Sequence, residues 1–148
     1  MTQARAAFVV AVLAACAVVP AFAVTVSYEV DGDGIARALD NAVGDASRGR
    51  ALVANRQASM CLLCHQAPIA ETPFQGDIST NLAGAGARWS EAQLRLRLVN
   101  ARLQNPSSVM PAYFRSSELT RVAAPWRDKT LLNAQEIEDL IAWLRTLR

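Results

Sequence analysis

The pattern that most constrains this chain is Cys61-Leu62-Leu63-Cys64-His65, a C-x-x-C-H sequence. Two cysteines placed three apart on a helical turn present both thiols on one face, where they can form thioethers with the two vinyl groups of a haem. The histidine that follows can then turn its imidazole towards the iron as an axial ligand. The pattern therefore predicts one covalently bound haem c per chain, attached through Cys61 and Cys64 and ligated by His65.

A redox disulfide and a structural zinc site are the two other interpretations of the same cysteines. A redox disulfide between Cys61 and Cys64 would not need His65, and such pairs lie in a βαβ pattern that this sequence lacks. A structural zinc site needs four nitrogen or sulfur ligands, whereas this part of the chain offers two cysteines and the only histidine of the protein. Covalent haem is therefore favoured over a disulfide and over zinc. A haem would also give a small domain a large apolar group to fold around.

The first 23 residues have the layout of a secretory signal peptide. Arg5 precedes an apolar run that ends in the small-x-small triplet Ala21-Phe22-Ala23, and we expect cleavage after Ala23 and export to the periplasm. The run is shorter than the roughly 20 residues that a membrane span needs. A lipoprotein cleavage box ending at Cys16 is the alternative. The apolar residues that follow Cys16 are unlike the polar tether of a lipoprotein and count against it.

The spacing of apolar and capping residues predicts helices rather than strands. The low aromatic content of 6% and the many Ala, Leu and Arg residues favour the same class. A short helical pattern covers residues 35–43, and a helix capped by Ser47 is predicted to run into Cys61. Ser90 and Asn133 each begin a helix, with Gln or Glu three residues later as in a capping box. The sequence therefore predicts an all-α fold.

The last two predicted helices differ in how clearly one face is apolar. The final helix has apolar residues at helical spacing, namely Ile137, Leu140, Ile141, Leu144 and Leu147. In the helix after Ser90, the apolar residues Leu94, Leu98 and Ala101 share one face. The arginines of this helix, Arg95, Arg97 and Arg102, are predicted to project elsewhere. Two long irregular stretches, 66–88 and 105–130, contain prolines and lack a sustained period. Loops of that length in a small domain are usually functional.

The charge pattern excludes one class of partner. The chain has 15 basic and 13 acidic residues, and all the basic residues except Lys129 are arginines interspersed with acids. A nucleic-acid-binding surface would instead cluster its basic residues on one face or along one segment. We therefore expect no nucleic acid partner.

The chain has no second histidine, so the second axial ligand is another residue or water. Met110 lies in the middle of the second irregular stretch and is followed by Pro111, which suits a thioether held rigidly over the iron. Met60 precedes Cys61 on the same turn and is expected to pack, and Lys129, a tyrosine or water are the remaining alternatives. The alternative for Met110 itself is a core-filling role. His/Met ligation would raise the reduction potential and close both axial sites, which favours electron transfer.

Several sequence blocks resemble one family. These are 59–66 (SMCLLCHQ), 74–78 (FQGDI), 81–88 (NLAGAGAR) and 105–114 (NPSSVMPAYF), followed by a similar C-terminal stretch over 119–143. Together they are similar to SoxX, the small monohaem subunit of the sulfur-oxidising SoxAX cytochromes. The resemblance covers about 48–147.

The resemblance implies a fold, a ligand set and partners. The fold would be that of a class I cytochrome c over residues 47–148, wrapped around one haem with two long loops and preceded by an N-terminal extension, 24–46. His65 and Met110 would be the axial ligands. The partner would be a larger SoxA-type cytochrome, and together the two would oxidatively join thiosulfate to a cysteine of a SoxYZ-type carrier. That reaction belongs to L-cysteine S-thiosulfotransferase.

Within that enzyme the resemblance gives this chain no catalytic residue. The thiolate-ligated catalytic haem of the family belongs to the larger subunit, and both mature cysteines here would be consumed by haem. The chain would accept electrons and pass them to a soluble cytochrome c. The alternative is a free-standing periplasmic electron carrier with no obligate enzyme partner.

One departure from a common cytochrome c pattern concerns the loop expected to orient His65. Many of these proteins have Gly-Pro at the places that Ser79-Thr80 occupy here. A carbonyl can still accept a hydrogen bond from the histidine, but the loop loses the fixed φ of proline. Arg88 and Trp89 are candidate partners of a haem propionate, and the alternative for Arg88 is a solvated charge before a helix.

Overall fold

Helices and turns make up the fold, and the computed structural model describes residues 27–148. Within that range the elements include no named β-strand, and an isolated bridge joins Asp31 to Gly34. The prediction of an all-α fold is therefore confirmed. The predicted cleavage site after Ala23 and the alternative lipidation site at Cys16 lie outside the described residues. None of the helices described is long and apolar enough to cross a membrane.

Four α-helices and several shorter turns follow one another along the chain. The α-helices are α1 (Ala46–Ala54), α2 (Ala85–Arg88), α3 (Glu91–Asn100) and α4 (Ala134–Thr146). Single 3-10 turns cover Leu39–Asn41, Cys61–Leu63, Ala101–Leu103 and Ala124–Trp126.

The two predicted capping boxes are confirmed. Ser90 Oγ accepts from the backbone N–H of Gln93, whose side chain accepts from the backbone N–H of Ser90. Asn133 and Glu136 make the same pair of bonds at the start of α4. Each box satisfies two backbone donors that a helix start leaves without a partner.

The core lies between α1, α3 and α4. The predicted apolar face of α4 is buried at Ile137, Leu140, Ile141 and Leu144. In α1 the buried Gly49 lets the two helices approach closely, since a Cβ there would collide with the carbonyl oxygen of Asp139. The carboxylate of Asp139 also accepts from Arg48 Nε at 2.7 Å, which ties the side chains together at the same crossing.

The predicted helix over residues 35–43 is wrong, because the structure has only a 3-10 turn there, Leu39–Asn41. A helix would pair the Leu39 N–H with the Ile35 carbonyl. Instead the Leu39 N–H donates to Glu138 Oε1 at 3.0 Å, and Arg95 donates to the Ile35 carbonyl at 2.6 Å. Side chains from α3 and α4 have therefore taken both partners of that helical bond.

Arg95 was predicted to project away from the apolar face of its helix, and the structure buries it between α3 and α4. Its side chain is buried and makes two parallel bonds to the buried carboxylate of Glu138, with Nε and one terminal nitrogen 2.7 and 2.8 Å from the two oxygens. A buried charge needs such a partner because desolvation disfavours the ionised form. The pair joins α3 to α4 and fixes the segment that contains Ile35 and Leu39 against both.

Candidate haem site

The C-x-x-C-H sequence forms a turn of its own rather than the end of α1, which corrects the sequence prediction. Helix α1 ends at Ala54, and the chain then passes through Met60 in the left-handed region (φ 59°) before the 3-10 turn Cys61–Leu63. The backbone N–H groups of Cys64 and His65 both donate to the Cys61 carbonyl, at 3.2 and 2.9 Å. Cys61 is buried and Cys64 is half-buried, and both are free thiols.

The imidazole of His65 is oriented by a backbone carbonyl. Its Nδ1 lies 2.6 Å from the carbonyl oxygen of Thr80. Because a carbonyl only accepts, Nδ1 carries the proton in this contact and the Nε2 lone pair is left for another partner. Metal-ligating histidines are oriented in this way by the hydrogen bond of their other ring nitrogen.

The loop that contains Thr80 runs alongside the motif and is pinned to it by backbone bonds. The Ser79 N–H donates to the Cys64 carbonyl at 3.0 Å, and the Leu82 N–H donates to the Gln66 carbonyl at 2.8 Å. These bonds flank Thr80 on both sides. They place its carbonyl opposite His65 although the chain lacks the proline common at this place.

Arg88 braces the same loop from the other side. Its two terminal nitrogens donate to the carbonyls of Ala83 (2.6 Å) and Asn81 (2.7 Å). The Arg88 guanidinium also lies over the ring of Trp89, which has Arg97 as a second cation, each 4.7–4.8 Å from the ring centroid. The structure thus places Arg88 and Trp89, the two candidate propionate partners, in contact with each other. Arg88 also donates to two carbonyls of the loop.

Met110 lies on the second long loop. The side chain is half-buried and packs against the core, and its backbone N–H donates to Ser108 Oγ at 3.2 Å. The neighbouring Val109 is 85% exposed. Met60 is likewise half-buried against the core. Burial alone therefore does not separate these two methionines.

Tyr113 connects the Met110 loop to the segment just before the C-x-x-C-H turn, a contact that the sequence does not predict. Its hydroxyl donates to the Ser59 carbonyl at 2.6 Å, and Ser59 is fully buried. Its backbone N–H donates to the Leu98 carbonyl of α3 at 3.1 Å. The only signals in the sequence were an aromatic residue with a polar tip three positions after Met110 and a serine two positions before Cys61. Neither one identifies the other as its partner.

Two acidic groups at the motif, the Cys61 thiol and the Tyr113 phenol, are buried. Burial raises the pKa of the Cys61 thiol, although hydrogen bonds from Ser59 and Tyr113 partly oppose that shift. Burial also raises the pKa of Tyr113 well above its usual range, and the nearby Cys61 adds to the effect. Desolvation disfavours both anions, so the protonated forms prevail.

A groove of about 760 Å³ borders the motif on its C-terminal side. Its walls include Gln66, Phe74 and Asn81, but none of the four predicted haem residues. The side chain of Gln75 braces the segment along this groove by accepting from the Ala67 N–H at 2.6 Å and donating to backbone carbonyls. The groove is therefore separate from the predicted attachment point.

The residues present fit a covalent haem. Two free thiols lie on one short turn, and the adjacent imidazole has its Nδ1 proton engaged, so that Nε2 can bind iron. Within residues 27–148 no three His, Cys, Asp or Glu side chains converge on a point where they could hold a bare metal ion.

Comparison with known proteins gives a family and a structural relative. Residues 46–148 match the cytochrome c family. The crystal structure of SoxXA from P. pantotrophus superposes with a TM-score of 0.73 at 32% identity, over 82% of this chain and 93% of that chain. No curated protein sequence matches the chain. The expected resemblance to SoxX and the cytochrome c-like fold are confirmed, and this family carries covalently bound haem c.

Proposed function

The chain belongs to the cytochrome c family, and from that premise we propose that it is the monohaem subunit of a thiosulfate-oxidising heterodimer. Its role is to accept electrons released in the partner and to relay them onwards. The observation that carries this proposal is the likeness to SoxXA, which extends over most of both chains.

The proposed haem is held by residues of the short turn. Cys61 and Cys64 supply the two thioether sulfurs, and the single C-x-x-C-H sequence provides for one haem per chain. When bound, the haem supplies a one-electron redox couple. His65 would hold its iron through Nε2, and the Thr80 carbonyl, 2.6 Å from Nδ1, orients the ring and raises its basicity.

Met110 is the proposed second axial ligand. It lies on a loop that the Tyr113–Ser59 bond joins to the segment just before the C-x-x-C-H turn. A thioether in this place raises the reduction potential and closes the iron to small ligands. Arg88 braces the Thr80 loop with two of its five N–H donors, and the donors that remain could still contact a haem propionate.

The sulfur chemistry belongs to the partners. Joining thiosulfate to a carrier cysteine forms one S–S bond and releases a proton and two electrons. With Cys61 and Cys64 bonded to haem, the mature chain has no thiol left for that reaction. This chain would accept the two electrons one at a time and pass them to a soluble cytochrome c in the periplasm.

A free-standing electron carrier is the second candidate. The same haem residues would serve it equally well, because nothing in the geometry at His65 or Met110 requires a partner. The two functions differ in whether a larger haem protein stays bound during purification.

A purification from cells growing on thiosulfate tests the proposal. An affinity-tagged copy of the full chain is isolated from the periplasm without crosslinking and run on a gel stained for covalent haem. We expect a second, larger haem-stained protein in constant proportion. A single haem-stained band of the size of this chain would refute the subunit proposal and leave the carrier function. A strain that expresses the C61A/C64A double variant serves as the control for stain specificity.

A further inference from the structure

A long loop after Met110 is not used by any part of the haem site described above. We propose that residues 115–131, the 115–131 loop, form a reversible docking surface for the acidic face of an electron-transfer protein. This goes beyond the heterodimer and rests only on the part of the proposed function that has the chain exchange electrons with other proteins.

The loop leaves and rejoins the protein at nearly one point. The Leu132 N–H donates to the Tyr113 carbonyl at 3.0 Å, which brings the two ends of the loop together. None of the 17 residues from Arg115 to Leu131 is buried. Every hydrogen bond described for them joins two residues of the loop itself. No other described part of this chain covers the loop, although loops of this length in small domains are usually functional.

The tip of the loop presents an aromatic residue to solvent. Backbone bonds from Trp126 to the Ala123 carbonyl (2.9 Å) and from Arg127 to the Ala124 carbonyl (3.4 Å) fold this stretch into tight turns. Trp126 is nevertheless 53% exposed. Exposed Trp and Arg side chains are the types most enriched at protein interfaces and at their energetic centres.

The loop also holds the positive charge of the chain. It carries four basic and two acidic side chains, while the other residues of 27–148 carry ten basic and eleven acidic ones. Arg115 is paired with Glu118 at 3.2 Å. The side chains of Arg121 and Arg127 make no hydrogen bond or ion pair within the described residues. The complementary surface is therefore acidic.

The composition of the surface indicates reversible rather than permanent binding. Its apolar residues are only partly exposed, with Leu119 at 43% and Leu131 at 39% beside Trp126. Permanent interfaces are larger and more apolar, whereas redox encounters use small, charged surfaces. The attachment of the loop at Tyr113, which bonds to Ser59 two residues before Cys61, places the docking element on the structural unit that carries the haem.

The test is a site-resolved titration of the haem-loaded, isotope-labelled mature chain with flavodoxin, a small acidic electron-transfer protein. Backbone amide shifts are followed by NMR at about 20 mM and about 300 mM salt, since exposed charge pairs are strongly screened at the higher value. We expect shifts concentrated in the 115–131 loop at low salt and largely lost at high salt.

Matched variants distinguish the contribution of this surface to binding from that of the overall net charge. R121Q/R127Q should weaken flavodoxin binding about fivefold, which corresponds to two exposed charge pairs. R37Q/R148Q removes the same charge from two other exposed positions and should weaken it less than about twofold. W126A, which keeps the charge, should also weaken binding.

Four outcomes would overturn the proposal. They are shifts centred elsewhere, no shifts at low salt, equal weakening by both double variants, and loss of the larger haem subunit from R121Q/R127Q in the purification described above. The last result would assign the loop to the permanent interface. Because the titration contains no larger subunit, its outcome is independent of whether the heterodimer exists.

Discussion

At the scale of single residues, the proposed haem ligands follow directly from the sequence, whereas the contacts that hold them do not. The C-x-x-C-H pattern predicts Cys61, Cys64 and His65 because haem attachment fixes their spacing. The Thr80 carbonyl opposite His65 and the Tyr113–Ser59 bond depend on how distant segments meet. Hydrogen bonds to backbone carbonyls leave no residue-type signal, since every residue has a carbonyl.

The first prediction concerns Met110. M110A should keep the covalent haem, because neither thiol is touched, but it should lower the reduction potential and let cyanide or imidazole bind the iron. Redox titration and absorption spectra with added ligand measure both effects. M60A is the matched control, since Met60 is also half-buried, and it should retain a closed iron. Ligand-binding spectra identical to wild type in M110A would show that Met110 is not an axial ligand.

The second prediction concerns the brace on the Thr80 loop. R88Q removes two charge-assisted bonds to loop carbonyls, so we expect a loss of about 1–3 kcal/mol in the free energy of unfolding. A looser Thr80 carbonyl makes the His65 imidazole less basic, which favours ferrous iron and raises the potential. R97Q, which removes the other cation over Trp89, should leave the potential unchanged. A potential shift of equal size in both variants would contradict the assignment.

At the scale of elements, local signals predicted helix starts better than helix extents. The boxes at Ser90 and Asn133 use only residues within one turn, so the sequence contains all of their information. The helix expected over residues 35–43 failed because Arg95 and Glu138, distant in sequence, bind its backbone groups. The buried Arg95 itself was missed because a pattern cannot show which charges meet a partner.

The third prediction tests the crossing of α1 and α4. In G49A the added methyl would collide with the Asp139 carbonyl, and the helices must separate. We expect a loss of about 1–3 kcal/mol despite the better helix propensity of alanine. Urea unfolding of the haem-loaded protein measures it, with S47A on the exposed side of α1 as control. A G49A protein more stable than wild type would mean that propensity outweighs packing at this crossing.

The fourth prediction is a pH dependence at the same crossing. Burial alone would raise the pKa of Asp139, but hydrogen bonds from Arg48, from the Asp45 N–H and from Gln135 outweigh it and lower the pKa below its ordinary 3.8. The unfolded chain therefore takes up this proton first, and the stabilisation is complete above about pH 4 and lost as pH falls through the folded-state pKa.

Urea unfolding of wild type and D139N between about pH 6 and pH 3 measures the effect of this carboxylate. D139N should be less stable near neutral pH, and the difference between the two proteins should shrink as the solution becomes acidic. If the free energies of unfolding of the two proteins differ by the same amount at every pH in that range, Asp139 contributes no pH-dependent stability.

At the scale of the whole molecule, the helices supply one core, and we propose that the haem is the apolar group around which the long irregular segments pack. Long irregular segments such as 66–84 and 105–131 are ordered here with few elements of their own. A fifth prediction follows. C61A/C64A should contain no covalent haem and should lose much of its helical signal, because the chain then lacks its largest apolar group. Haem staining and far-UV circular dichroism measure both, and native-like helicity without haem would contradict this view.

Partner identity is the property that sequence patterns within one chain predict least. An interface is determined by two surfaces, and only one of them is encoded here. The 115–131 loop illustrates the point, since its charges are visible in the sequence but its exposure required the structure.

The central claim is that this chain accepts the electrons of thiosulfate oxidation, and its own absorption spectrum tests this most directly. The oxidised chain is mixed with a SoxA-type larger subunit and a SoxYZ-type carrier, thiosulfate is added, and the haem spectrum is followed. We expect the haem of this chain to be reduced only when all components are present, and not to be reduced when the carrier cysteine is replaced. A haem that stays oxidised in the complete mixture, while dithionite reduces it, would contradict the account.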